Sequence, residues 1–98
     1  MIEKYNEMCD IIRSQLIDYI NRTFKIVSIY MILKCNDESM TKQGIKSSFE
    51  SEYKKLVTKI NHIKQVTNCN LDGMIEYAKA MKSDAVDLVL NTLKGELR

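Results

Sequence analysis

The chain has 98 residues with 45% apolar and 29% charged side chains and a net charge of +2. That suits one globular domain, 1–98, and is too short for two. Neither disorder nor a membrane protein is indicated, and the weak charge asymmetry lacks the basic footprint of a DNA-binding domain. Proline is absent, and Gly44, Gly73 and Gly95 fall between or after apolar-periodic segments, as expected of helices with short connections. The predicted class is therefore all-α, a three- or four-helix bundle with a long N-terminal helix.

Abundant Ile, Lys and Asn with little Arg suggests AT-rich coding DNA, as in a low-GC bacterium, a phage or a large DNA virus. The opening Met1-Ile2-Glu3-Lys4 does not resemble a secretory signal. The densest apolar run, Phe24 to Leu33, is far shorter than the roughly 20 residues of a membrane span. A cytoplasmic location is expected, in a bacterial or infected host cell. Cys9, Cys35 and Cys69 are odd in number and unevenly spaced, so free, partly buried thiols are expected rather than a disulfide framework.

In the first third, Ile2, Tyr5, Cys9, Ile12, Leu16, Tyr19, Thr23, Ile26, Tyr30 and Leu33 step by three and four along one helix face. A second stripe, Ile17, Ile20, Phe24, Val27 and Met31, runs beside it. A helix from Ile2 to Lys34 would be about 50 Å long, against about 33 Å for helices of some 22 residues. It must either kink near Asn21-Arg22-Thr23 or stay straight and project to a partner, with the two stripes favouring the latter. A strand over Phe24–Cys35 is the competing reading, but no other segment offers it a sheet partner.

Asn36-Asp37-Glu38-Ser39 reads as a connection, with Asn36 a C-terminal cap and Asp37 or Ser39 an N-cap; Ser47 with Glu50 offers a later start near residue 46. Ile45, Phe49, Tyr53, Leu56, Ile60 and Ile63 then mark a helix to about Asn68, supported by a Glu50–Lys54 pair. After the turn Asn68–Gly73, Met74, Ala78, Met81, Ala85 and Leu88 mark a third helix, with Val89, Leu93 and Leu97 continuing. Ser83-Asp84 could divide it into two, and Gly95 is expected to end it.

No nucleotide-binding glycine motif, zinc-type Cys pair or paired catalytic acid stands out. Catalysis by Cys9, Cys35 or Cys69 would require His62, the one histidine, as a base from elsewhere in the fold. No catalytic residue, cofactor or metal site is assigned. The residues point instead to a non-enzymatic protein-interaction module: a regulator, inhibitor or assembly factor that forms a homodimer or docks on a larger protein, with a phage- or virus-encoded inhibitor of a host system as one fitting example. Tyr5, Ile12, Leu16 and Tyr19 are its expected partner-binding residues. The alternative is a small nucleic-acid-binding regulator contacting phosphates through Lys55, Lys59 and His62.

Overall fold

The computed structural model describes residues 2–34 and 40–97. These form three helices, α1 (Ile2–Lys34), α2 (Lys42–Thr67) and α3 (Asp72–Thr92), with no strand among the described residues. The all-α reading holds, with three helices, not four, because α3 runs unbroken through Ser83-Asp84.

α1 is continuous through Asn21-Arg22-Thr23. At 1.5 Å per residue its 33 residues span about 50 Å, which accounts for most of the molecule's 56 Å long axis. The kink is thus not adopted, and the strand reading fails through Lys34; Cys35 lies outside the described residues. No Gly or Pro interrupts α1, and two of its hydroxyls bond to the preceding turn: Thr23 Oγ1 donates to the Tyr19 carbonyl at 2.8 Å and Ser28 Oγ to that of Phe24 at 2.7 Å.

α2 begins earlier than the Ser47–Glu50 spacing suggested. Thr41 is its N-cap, and the Thr41 hydroxyl accepts from the Gly44 amide at 2.9 Å, satisfying one of the first-turn donors. The caps expected at Asn36, Asp37 or Ser39 lie outside the described residues. Asn68 ends α2 in the left-handed conformation, φ 58°, its amide donating to the Lys64 carbonyl at 2.8 Å, a conformation Asn tolerates better than most residues. α3 stops at Thr92, short of Gly95, with Leu93 as its C-cap.

Cross-links between elements fix the topology as up-down-up. Tyr5 of α1 donates its hydroxyl to the Thr67 carbonyl at the end of α2 at 2.9 Å, so those helices are antiparallel. Further along, Arg13 donates to the Asn70 carbonyl just before α3 at 3.2 Å, and Tyr77 within α3 donates to Asn21 Oδ1 at 2.6 Å, so α3 runs parallel to α1. α3 packs along both other helices, whose mutual contact is smaller. Buried Ala78 and Ala85 supply the small side chains that let backbones approach.

The core takes one of the two α1 stripes and leaves much of the other. Cys9 and Leu16 of the first are buried, but from Ile20 onward the inward face passes to the second: Ile20, Phe24 and Met31 are buried and Val27 packs against them. Opposite lie Ile45, Phe49, Leu56 and Ile60 of α2 and Val89 of α3, with Phe24 and Phe49 rings 6.2 Å apart. Val89 holds the inward place expected of Leu88, which is exposed. Truncating Ile20 to Ala should cost about 2–5 kcal/mol, as for a large-to-small core change. Val66→Ala at an exposed position of α2 should stay within roughly 0.5 kcal/mol; urea melts of the two variants check this.

Two cysteines are not free. Cys9 and Cys69 are buried and joined by a disulfide, correcting the expectation of three unpaired thiols. The bridge ties the start of α1 to the α2–α3 turn across a sequence separation of 60 residues. Closing a loop of that size restricts the unfolded chain and is worth roughly 2–4 kcal/mol. Reductant, or the Cys9→Ser/Cys69→Ser double variant, should lower the melting temperature by about 10 °C or more, readable by circular dichroism; coincident melts would contradict a closed bridge.

α2 and α3 are also linked by Lys82, whose ammonium donates to Glu50 Oε2 at 2.6 Å and stands 4.6 Å from the Tyr53 ring centroid. Glu50 thus bonds across to α3 rather than to Lys54 four residues on. The Lys82 hydrogen bond, against the opposing effect of desolvation and with the added charges of Lys82, Lys54 and Lys79, holds the Glu50 carboxyl below its ordinary range. Because the folded-state pKa is the depressed one, this contribution is complete above the ordinary carboxylate pKa. It is lost as pH falls through the lowered folded value. The stability gap between wild type and Glu50→Gln should therefore close on acidification from pH 7, as checked by urea melts across pH.

Candidate interaction surface

A three-helix bundle can cover only the flanks of α1 that face α2 and α3, and the remaining flank of its distal half carries the end of the first stripe together with Ile29. Ile26 (60% exposed), Ile29 (48%), Tyr30 (52%) and Leu33 (71%) lie there, spaced as neighbours on a helix surface. A second apolar island lies at the other end of α1, where Met8 (40%) and Ile11 (57%) are exposed. Gln15, Asp18 and Arg22 separate the two islands, all exposed on the same strip. Beside the distal island, an open groove of about 400 Å³ runs between α1 and α3, lined by Phe24, Ser28, Ile32, Met81 and Ala85 with Leu88 at its edge. Small Ser28 and Ala85 leave that seam unfilled. A contiguous exposed apolar patch of this kind is what marks interaction sites on small proteins.

The four residues expected to bind a partner do not form one surface. Leu16 is only 6% exposed and belongs to this chain's core, and Ile12 packs against that core. Tyr5 is exposed, but its hydroxyl is engaged by the Thr67 carbonyl. Tyr19 is exposed and lies under Lys59, whose ammonium sits 4.2 Å from the ring centroid and donates to the Tyr19 hydroxyl at 3.2 Å. Ile12 and Leu16 are inward because α1 turns its first stripe to the core over its proximal half. The same stripe faces outward at Ile26, Tyr30 and Leu33. Met8, Ile11 and Ile29 belonged to neither stripe, and only exposure picks them out.

Lys55, Lys59 and His62 occupy successive turns of the solvent face of α2. Lys55 pairs with Glu52 at 3.4 Å and Lys59 is held on Tyr19, so each lysine has a partner within the chain. Among the described residues no group of three or more His, Cys, Asp or Glu is placed to hold a metal ion, and no buried side-chain polar atom is without a hydrogen-bond partner. The bridge removes Cys9 and Cys69 as thiol nucleophiles. No helix among the described residues is long and apolar enough to cross a membrane. Comparison of the chain with family models, with curated proteins and with solved structures finds no match.

Proposed function

We propose that this chain is a non-enzymatic helical protein-interaction module, a small regulator, inhibitor or assembly factor, whose working surface is the outer face of α1. The observation that carries this reading is the exposure of Ile26, Ile29, Tyr30 and Leu33 on a helix whose opposite face already fills the core. Burying such side chains is worth roughly 1.5–3 kcal/mol each when complete, so leaving several in water is costly unless a partner covers them. The pairing of Lys55 with Glu52 and of Lys59 with Tyr19 weighs against the nucleic-acid alternative.

The buried Cys9–Cys69 bridge supports action in an oxidising compartment over the cytoplasm expected from composition. The docking face is tested by affinity capture from cells of the source with wild type and with an Ile29→Glu/Leu33→Glu variant. Both positions are exposed, so the variant should keep the helical content of wild type by circular dichroism. A protein retained by wild type and lost by the folded variant is the expected result. Equal retention by both would remove the reading.

A further inference from the structure

The outer strip of α1 is nearly its own mirror image. Its positions Met8, Ile11, Gln15, Asp18, Arg22, Ile26, Ile29 and Leu33 step by three and four and are all exposed, and they lie symmetrically about position 20 to within half a residue. Met8 mirrors Leu33, Ile11 mirrors Ile29, Gln15 mirrors Ile26, and Asp18 mirrors Arg22, an acid opposite a base. Neither Asp18 nor Arg22 has an ion-pair partner among the described residues.

From this symmetry we infer that α1 pairs antiparallel with α1 of a second copy of this chain, about a two-fold axis level with Ile20; the inference rests on the docking reading above and names its occupant. Two-fold pairing is isologous, so every contact occurs twice. Each apolar island then meets the opposite island, Ile11 on Ile29 and Met8 on Leu33. Two Asp18–Arg22 ion pairs close the middle. Helices packed at a shallow crossing angle, with axes 8–10 Å apart, keep such strips in contact along their length. Met8, Ile11, Ile26, Ile29 and Leu33 stand 40–71% exposed, apolar area that the pairing removes from water on both copies. Polar residues within an otherwise apolar seam set register in paired helices, the role assigned here to Asp18 and Arg22. A lipid surface would gain nothing from Asp18 at the centre of the strip, and an unrelated partner gives no reason for mirror placement.

The test is sedimentation equilibrium of the full chain with its disulfide intact, from about 1 to 100 µM, which reaches the weak, micromolar end of protein interfaces. Wild type should be a dimer. Asp18→Arg alone and Arg22→Asp alone bring like charges together across the axis and should each raise the dissociation constant about tenfold or more. The double exchange Asp18→Arg/Arg22→Asp should restore it, and Ile29→Glu should abolish the dimer, with helical content by circular dichroism unchanged throughout. A monomeric wild type overturns the inference, as does a dimer indifferent to the single exchanges. If wild type is monomeric yet captures another protein that Ile29→Glu/Leu33→Glu loses, the self-pairing falls and the docking module stands. If that capture difference is also missing, both fall.

Discussion

The constraint on which the structure depends is that α1 is apolar on two adjacent flanks while a three-helix bundle can bury only part of its circumference. From Ile20 onward the core takes Phe24, Val27 and Met31, and among the described residues Ile26, Tyr30 and Leu33 stay outside it, 52–71% exposed. A straight helix of about 50 Å makes this unavoidable. A kink near Asn21 would have let the distal half wrap the bundle, but Thr23 and Ser28 bond to the turns behind them without breaking the helix.

Cross-links at three levels hold α1 in that orientation. The Cys9–Cys69 bridge, with Tyr5 on Thr67 and Arg13 on Asn70, anchors its first three turns to the end of α2 and the turn that follows. Tyr77 on Asn21 holds its middle against α3. Ala78 and Ala85 permit close approach of α3, and Glu50–Lys82 joins α3 to α2. The outward direction of Ile26 and Leu33 is therefore a consequence of where the inward face is fastened.

Periodicity made the fold class, the three apolar-faced segments and the α3 alanines legible from sequence, because burial on one helix face imposes a repeat. The choice between two stripes was not legible: both have helical spacing, and the exchange at Ile20 depends on where α2 and α3 sit. Leu16 was read as surface for that reason. The disulfide was hidden because its cysteines stand 60 residues apart and a third cysteine removed the even count that signals a bridge. Lys59 and Tyr19, forty residues apart, meet only through the antiparallel arrangement of α1 and α2.

The central claim, that the outer strip of α1 pairs with its copy on a second chain and is not merely leftover apolar surface, is most directly tested by recording amide chemical shifts over a dilution series. Concentration-dependent shifts confined to α1 at and around Met8, Ile11, Asp18, Arg22, Ile29 and Leu33 are predicted. Shifts independent of concentration, or centred on Lys55, Lys59 and His62 of α2, would contradict it.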